Sequence, residues 1–227
     1  MRDLKCPGRS FVHRGVIAQV FAALLVLAVG SASAVEPTAA TDKPTIAIVG
    51  AGSMGQALGR LWAADGYPVI YATRHPDELD AVLERTGHGA KAASVAEAVE
   101  QAGVITLAVP YAAEPGLARA HGRAMRGKVL IDVDNAFVHR DGEVAEKAEA
   151  MGEALYSAGL FEGTRFVRAF NLVSASRFPA PDGTGHQVFD VPYTTNDDST
   201  RPLAEALIEA AGGRAVYEGG LDNAREY

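Results

Sequence analysis

Residues 46–55 read IAIVGAGSMG, a short apolar run followed at once by three glycines. The run Thr45–Val49 has the composition of a buried strand, and Gly50–Gly55 has the spacing Gly-x-Gly-x-x-Gly. Helical periodicity follows from Met54 to Ala64. A glycine-rich turn between a strand and a helix is the arrangement in which helix N-terminal amides bind the pyrophosphate of a dinucleotide.

Each glycine of this turn has a predicted task. Gly50 permits the tight exit from the strand, Gly52 lets a pyrophosphate approach the backbone, and Gly55 lets the helix pack closely on the sheet. Ser53 and Met54 complete the predicted cofactor-binding loop, because their amides lie at the start of the helix. The alternative is an ordinary strand-to-helix turn that binds nothing.

The end of the second predicted strand distinguishes between the two nicotinamide dinucleotides. An NAD site usually has a carboxylate there, which binds the ribose hydroxyls, whereas this chain has Thr73 and Arg74. A guanidinium forms two charge-assisted hydrogen bonds with a phosphate, so the sequence favours NADP. The alternative is that Arg74 is a solvated surface residue, paired with Asp77 or Glu78.

Strand and helix patterns alternate along the rest of the chain, which predicts an α/β fold with a doubly wound, mainly parallel sheet and helices on both faces. This is a Rossmann fold in one domain, residues 45–227. The predicted strands are 45–49, 69–72, 104–109, 129–133, 166–170, 188–193 and 215–217. The predicted helices are 54–64, 76–85, a helix that starts at a Ser94/Glu97 capping box and ends at Gly103, 114–125, 142–160 and 200–211.

The N-terminus has the pattern of an export signal. Four basic residues accompany an apolar run from Val16 to Val29, and Ala32-Ser33-Ala34 supplies small residues at a cleavage site. We predict a signal peptide over 1–34, a polar tether over 35–44, and an exported, periplasmic or secreted protein without a membrane span after cleavage. The alternative is a retained anchor, but the run has 14 residues where a spanning helix needs about 20.

Cysteine content and charge exclude several classes of site. Cys6 is the only cysteine and lies within the predicted signal, so the processed chain has neither disulfides nor cysteine-ligated metal, and we predict no metal site. Without the signal's four basic residues and one acidic residue, 17 basic and 27 acidic side chains remain, a net charge of −10. A chain this acidic is a poor partner for nucleic acid or an anionic membrane.

Several short blocks occur in an order that resembles a known family. They are the glycine loop Gly50–Gly55, Thr73-Arg74, Leu107–Pro110, IDVDNAF within Leu130–Phe137, Val167–Asn171, and GGLDNARE at Gly219–Glu226. Together they resemble the NADP-binding domain of the NADPH-dependent reductases of the deazaflavin coenzyme F420. They are also similar to the cytosolic domain of the six-transmembrane epithelial antigen metalloreductases.

This resemblance implies hydride transfer between a nicotinamide and a second flat ring, with F420, a flavin or a similar small redox acceptor as the partner. Ala108, Val109 and Pro110 would line the nicotinamide, and Asn135 and Asn171 would hydrogen-bond its carboxamide or the acceptor. Two cofactors that exchange a hydride need orientation more than acid-base help, so no catalytic pair is predicted. The sequence leaves the oligomeric state open, and a homodimer is compatible with it.

Four further polar residues are possible ligand contacts. His186 and Arg168 are the better candidates for substrate contact, while His121 and His139 read as surface or helix-terminal residues.

Two other functions fit parts of the sequence. A dehydrogenase of the 3-hydroxyacid or 6-phosphogluconate type shares the glycine loop and the arginine, but it needs a large helical domain after the nucleotide domain. An exported, non-catalytic module that binds NADP or a protein partner fits the export signal, but it would not require the Leu107–Pro110 and Val167–Asn171 blocks.

Overall fold

A computed structural model describes residues 43–180, 182–184 and 187–226. The predicted signal peptide and all of the tether except Lys43 and Pro44 lie outside the described residues, as does His186. No helix in the described part of the chain is both long and apolar enough to cross a bilayer.

The described residues form an eight-stranded sheet. Its strands are β1 (Ile46–Val49), β2 (Val69–Ala72), β3 (Lys91–Ala93), β4 (Val104–Leu107), β5 (Val129–Asp132), β6 (Arg165–Ala169), β7 (Phe189–Thr195) and β8 (Gly213–Tyr217). The order across the sheet is β3-β2-β1-β4-β5-β6-β7-β8. The chain therefore reverses direction across the sheet between β1 and β4, and ligands bind at such a switch point in open α/β sheets.

Eight helices accompany the strands in the described residues. They are α1 (Ser53–Ala64), α2 (Asp80–Thr86), α3 (Val95–Gln101), α4 (Glu114–Met125), α5 (Val138–Asp141), α6 (Glu143–Met151), α7 (Glu153–Leu160) and α8 (Arg201–Ala210). Short 3-10 turns lie at Pro76–Glu78, Tyr111–Ala113, Ala175–Arg177, Asp198–Thr200 and Leu221–Asn223.

Helices cover both faces of the sheet, which confirms the doubly wound architecture. One apolar core places Trp62 of α1 and Leu207 of α8 against Ile48 and Val167 of the sheet. The other core places side chains of α3, α4 and α7, such as Val99 and Met125, against residues of β1, β4 and β5. Side chains alternate between faces along each strand, so every central strand supplies both cores.

Strand β7 is the exception to parallel pairing. It runs antiparallel to β6, with Val167 opposite Thr195, while β8 runs parallel to β7. Within its described residues, the connection from β6 to β7 contains the 3-10 turn Ala175–Arg177 and no crossover helix, so the chain does not return to the starting end of the sheet before β7. The sheet is therefore mainly, but not wholly, parallel.

Two helix predictions were wrong in detail. The predicted helix 142–160 is broken at Gly152, whose φ of 91° a continuous right-handed helix does not permit, so α6 and α7 are separate. The predicted helix 76–85 is divided into the turn Pro76–Glu78 and α2. The capping box before α3 is confirmed, because the Ser94 hydroxyl accepts the Glu97 N–H and the Glu97 carboxylate accepts the Ser94 N–H.

Candidate functional site

A cleft of about 610 Å³ opens at the carboxyl ends of β1, β2 and β4. It brings together seven of the twelve sequence-predicted cofactor-binding residues: Gly50, Gly52, Thr73, Arg74, Ala108, Val109 and Pro110. Ser53, Met54, Gly55, Asn135 and Asn171 are not among the residues that line it. His139 is exposed on α5 and His121 is half-buried on α4, and neither lines the cleft.

The three glycines of the loop occupy three different environments. Gly50 has a φ of +106°, and a Cβ on it would lie 2.2 Å from the carbonyl oxygen of Ala108. A Cβ on Gly55 would lie 2.2 Å from the Gly50 carbonyl oxygen and 3.1 Å from Ile48 Cγ2. A Cβ on Gly52 would meet nothing within 4 Å. Gly50 and Gly55 are therefore required by the fold, whereas a side chain at Gly52 would meet open space.

The start of α1 leaves its first amides without a side-chain partner. Gly52 is the N-cap and no side chain caps the helix. Gln56 stabilises the loop instead. Its side-chain amide donates to the carbonyl oxygen of Ala51 at 2.7 Å, and its backbone N–H donates to the carbonyl oxygen of Gly52 at 2.9 Å. The amides of Ser53, Met54 and Gly55 precede the first intrahelical bond, which is the feature that binds phosphate at helix N-termini.

Arg74 follows β2 and lines the same cleft. Its side chain is exposed, and it forms no ion pair with any residue that the structure describes. The alternative partners are not engaged with it, since Glu78 lies 4.0 Å from His75 and Asp77 has no ion pair within the described ranges. The guanidinium is therefore free to bind an anion that enters the cleft.

Hydrogen bonds from two strands hold the loop Ala108–Pro110. The Ala108 N–H donates to the carbonyl oxygen of Val49 at 2.9 Å. The Val109 N–H donates to both carboxylate oxygens of Asp134, at 2.9 Å and 3.1 Å. Asp134 in turn donates its own N–H to the Asp132 carboxylate at 2.9 Å. The loop is thus attached to the end of β5 through two successive aspartates.

Arg168 lies behind this loop and is 1% exposed. Its guanidinium donates to the carboxylates of Asp132 at 2.6 Å, Glu153 at 2.5 Å and Glu226 at 2.9 Å. Burial alone would lower the pKa of Arg168, but these carboxylates raise it above its usual range. Arg168 was predicted from the sequence as a candidate substrate contact. In the structure its guanidinium is buried and paired with three carboxylates of the protein itself.

Three buried carboxyl groups lie together under the loop. Glu114, Asp132 and Asp134 each offer an oxygen within 4.8 Å of the others. Protein donors already occupy five of the six oxygens: Val109 binds both of Asp134, Asp134 and Arg168 bind those of Asp132, and Ser157 donates to one of Glu114 at 2.6 Å. We therefore assign no metal to this cluster.

The predicted asparagines form hydrogen bonds within the protein itself. The Asn135 amide donates to the carbonyl oxygen of Asn171 at 2.8 Å, and the Asn171 amide donates to that of Arg225 at 2.8 Å. Phe170 precedes Asn171 with a φ of 65°, a left-handed conformation that side chains rarely adopt. Its ring packs 6.2 Å from that of Trp62, which holds this turn in place. Ligand contact by either asparagine stays a prediction.

Sequence reasoning missed the structural role of Asp134, Asp132 and Glu114. No role was predicted for Asp132 and Asp134 within the block IDVDNAF. An aspartate at the end of an apolar strand nevertheless indicates a buried charge with a partner. Glu114 reads as an ordinary acidic residue in the first turn of a helix, and nothing local distinguishes it. Only the tertiary fold brings it to the two aspartates.

The cleft fits an NADP molecule on the features of this chain alone. The unfilled space at Gly52 admits a pyrophosphate close to the backbone, and the helix start supplies amides for it. The free guanidinium of Arg74 lies at the end of β2, next to β1, which is where a 2'-phosphate is bound in this fold. The loop Ala108–Pro110 lies on the other side of β1, at the end of β4.

Comparison with known proteins agrees with this geometry. Residues 45–136 match the family model for coenzyme F420-dependent NADP oxidoreductases. An F420-dependent NADP reductase from Methanothermobacter marburgensis is 32% identical over 196 residues, which cover 78% of this chain and 84% of that relative.

Solved structures show the same fold. A hypothetical protein from Sinorhizobium meliloti is 29% identical with a TM-score of 0.65, and the match covers 79% of this chain and 86% of that one. A structure assigned as an F420-dependent NADP reductase from Arthrobacter sp. has a TM-score of 0.64 at 20% identity, with the same coverage. An imine reductase from Streptomyces aurantiacus has a TM-score of 0.57 at 24% identity and is matched over 56% of its length. On the identity to the curated reductase, this chain belongs to the F420-dependent NADP oxidoreductase family and is an NADP-dependent oxidoreductase.

Proposed function

We propose that this protein transfers a hydride between NADP(H) and a flat redox-active ring, either the deazaflavin F420 or a flavin. The name of the Methanothermobacter relative supports F420 as the first acceptor to test. The observation that carries the proposal is the cleft itself, which joins the glycine loop, Arg74 and the Ala108–Pro110 loop in one continuous space.

The character of the cleft wall supports direct hydride transfer. Of the described residues that line it, Arg74 is the only charged one, and the others are glycine, alanine, valine, leucine, proline and threonine. Such a wall orients two rings and excludes water but offers no general acid or base. The nicotinamide and its acceptor supply the redox chemistry, and the chain supplies their relative position.

The individual residues have separable tasks in this proposal. Gly52 and the amides of the α1 N-terminus bind the pyrophosphate, and Arg74 binds the 2'-phosphate. Ala108, Val109 and Pro110 form the surface against which the nicotinamide lies. Asn135 and Asn171 position the loop at the end of β6, next to the acceptor.

The test is turnover by the purified protein with a panel of acceptors. NADPH absorbance is followed with F420, FMN, FAD, a cyclic imine and, in the reverse direction with NADP⁺, a 3-hydroxyacid. We expect oxidation of NADPH with F420 or a free flavin and none with the imine or the hydroxyacid. Gly52→Val, which fills the open side of the loop, is the control and removes the activity.

Other outcomes lead to the other functions. Tight NADPH binding without turnover on any acceptor would indicate a non-catalytic NADP-binding module. Turnover with the imine alone would assign the substrate class of the structural neighbours, which at their sequence identity share only the fold with this chain.

We also propose that the protein is exported and cleaved after Ala34. The basic lead, the apolar run and the small residues at 32–34 support this location. Expression in a bacterial host with intact-mass measurement of the product tests it: we expect a chain that starts at Val35. Ala34→Phe places a bulky residue at the cleavage site and is expected to leave the chain unprocessed, while a wild-type product that retains its first 34 residues contradicts the proposal.

A further inference from the structure

The cluster of Glu114, Asp132 and Asp134 lies beneath the loop Ala108–Pro110, which is called the nicotinamide loop after its proposed ligand, and it is short of positive charge. Glu114 and Asp132 are fully buried, and Asp134 is 6% exposed. Arg168 is in direct contact with Asp132, but Glu153 and Glu226 bind the same guanidinium. Its single positive charge is therefore shared by Asp132, Glu153 and Glu226. Neither Glu114 nor Asp134 is paired with it.

Glu114 and Asp134 have no cation of their own among the described residues. Asp134 binds only the Val109 N–H, a neutral donor. Glu114 accepts the Ser157 hydroxyl with one oxygen, and its other oxygen is buried without any hydrogen-bond partner. A buried, ionised carboxylate with an unpartnered oxygen is costly, whereas a protonated one is not.

The neighbouring groups do not relieve this deficit. The titratable and charged side chains that act on the pair are Asp132 on β5, Arg168 on β6, Tyr111 before α4 and Arg140 on α5. Glu153 on α7 and Glu226 in the C-terminal segment bind Arg168, and Asp141 on α5 binds Arg140. Arg140 is bonded to Asp141 at 2.7 Å, and the Tyr111 hydroxyl binds Ser157 at 2.7 Å. Burial first, and then the charge of Asp132, raises the pKa of both Glu114 and Asp134 well above the usual range.

Asp134 connects the carboxyl pair to the cleft, because it accepts the N–H of the cleft residue Val109. Val109 lines the cleft with its neighbours Ala108 and Pro110, and its N–H is the group that Asp134 holds. A nicotinamide ring against this loop is neutral when reduced and carries a positive charge when oxidised. A positive charge in a water-poor site favours ionisation of a nearby carboxyl group.

We propose that the pair Glu114 and Asp134 carries a proton beneath the loop Ala108–Pro110, and that this proton is released when the bound dinucleotide is oxidised and retained when it is reduced. The carboxyl group gives up H⁺ to solvent and becomes a carboxylate opposite the nicotinamide cation, so charge balances without another reactant. The two residues touch no ligand and act through Val109 and through their field, which makes them positioning residues. The inference rests on the proposed placement of the nicotinamide against Ala108–Pro110, and it does not depend on which acceptor is used.

Calorimetric titration tests this linkage without turnover. NADP⁺ and NADPH are each titrated into the purified protein at neutral pH, in buffers with different ionisation heats, and the dependence of the observed heat on the buffer gives the number of protons released. The 2'-phosphate is common to both ligands, so its own titration cancels in the difference. We expect NADP⁺ to release more protons than NADPH on binding. As the pH rises, the affinity for NADP⁺ should therefore increase relative to that for NADPH, by up to about tenfold per pH unit.

Two matched variants locate the proton. Glu114→Gln removes the titratable group while it keeps the size of the side chain and a partner for Ser157, and it is expected to abolish the difference in proton release. Glu153→Gln is the control, because Glu153 is a buried glutamate that contacts Arg168 rather than the nicotinamide loop, and it is expected to retain the difference. If Glu114→Gln does not fold, Asp134→Asn takes its place, and thermal unfolding of each variant identifies the folded ones.

A second readout is the infrared difference spectrum between the NADPH and NADP⁺ complexes. We expect a protonated carboxyl C=O band that is present with NADPH, absent with NADP⁺, and lost in Glu114→Gln. Equal proton release with both ligands, or a difference abolished by Glu153→Gln and kept by Glu114→Gln, overturns the inference while NADP binding stands. Failure to bind either dinucleotide overturns the proposed site as well.

Discussion

Asp134 accepts the N–H of Val109 with both carboxylate oxygens, at 2.9 Å and 3.1 Å, and so connects the end of β5 to the loop that follows β4. The contact joins residues 25 positions apart at the edge of the sheet where the cleft opens. Asp132 fixes Asp134 in turn by accepting its N–H. The position of the loop Ala108–Pro110 therefore depends on Asp132, which ends β5, and on Asp134, which follows it.

Replacement of Asp134 tests this dependence. Asp134→Ala leaves the Val109 N–H without its acceptor, and an unsatisfied amide costs about 1–3 kcal/mol. We expect the dissociation constant for NADPH to rise by about fivefold or more, since 1 kcal/mol corresponds to roughly that factor. Asp134→Asn keeps an acceptor oxygen and is expected to fall between Ala and wild type. Equal NADPH affinity in all three proteins, measured by fluorescence titration, would contradict the role of this contact.

The glycine loop predicts opposite results for two glycine-to-alanine changes. Gly52→Ala meets no atom within 4 Å, so we expect a free energy of unfolding within about 1 kcal/mol of wild type, the usual range at an N-cap. NADPH binding is nevertheless weakened, because the methyl group fills the approach to the pyrophosphate. Gly55→Ala places Cβ 2.2 Å from the Gly50 carbonyl oxygen and is expected to lose about 1–3 kcal/mol of stability. Urea unfolding and NADPH titration separate the two effects, and a destabilised Gly52→Ala would be inconsistent with the open space seen there.

The glycine loop was predictable because its determinants are local. The turn, the strand before it and the helix after it are consecutive, and each glycine has a task that spacing alone specifies. The same holds for the capping box of Ser94 and Glu97, which lies within four residues. Strand β3 escaped prediction because it is three residues of lysine and alanine, without the β-branched pattern of a buried strand.

The carboxyl cluster was not predictable, because it depends on contacts between distant elements. Glu114, Asp132 and Arg168 come from a helix and two strands, and no spacing in the sequence relates them. The antiparallel direction of β7 has a similar origin: the segment between β6 and β7 is long enough for a crossover but contains no helical pattern. Each of these outcomes is set by packing rather than by local propensity.

Arg74 provides the test of dinucleotide preference. Removal of a charge-assisted hydrogen bond costs about 1.5–3 kcal/mol, so Arg74→Ala is expected to raise the NADPH dissociation constant by about 10- to 150-fold. NADH affinity is expected to change by less than a factor of about three, because NADH has no phosphate for the guanidinium to bind. Arg123→Ala removes an exposed arginine on α4, outside the cleft, and serves as the control for lost surface charge. Equal losses for the two dinucleotides would remove the assignment of Arg74.

Arg168 holds the network together from inside the protein. Arg168→Met removes a buried charge that three carboxylates share, and a broken buried ion pair typically costs about 3–5 kcal/mol because its partners are left unpaired. We expect the free energy of unfolding to fall by about that amount at neutral pH. The decrease should be smaller under mildly acidic conditions, because the carboxyl groups take up protons there. Arg165→Met, at a half-exposed pair with Asp197, is the matched control and is expected to cost less than about 1 kcal/mol. A loss for Arg168→Met no larger than for Arg165→Met would show that the shared guanidinium contributes little.

Glu153 gives the stability of the protein a defined pH dependence. Burial raises the pKa of Glu153 to about 7, although Arg168 partly offsets this effect. In the unfolded chain a glutamate titrates near 4.3, so between about pH 4.3 and 7 the folded state binds more protons than the unfolded state. The contribution of Glu153 to the free energy of unfolding therefore falls as the pH rises through this window, by at most about 1.4 kcal/mol per pH unit. The free energy of unfolding is measured by urea unfolding at several pH values. We expect Glu153→Gln to remove the contribution of this group to the pH dependence, up to about 1.4 kcal/mol per pH unit. Glu146→Gln changes an exposed glutamate on α6 and is expected to keep the pH dependence of wild type. A slope for Glu153→Gln that matches wild type across the window would mean that this carboxyl group is already ionised in the folded protein.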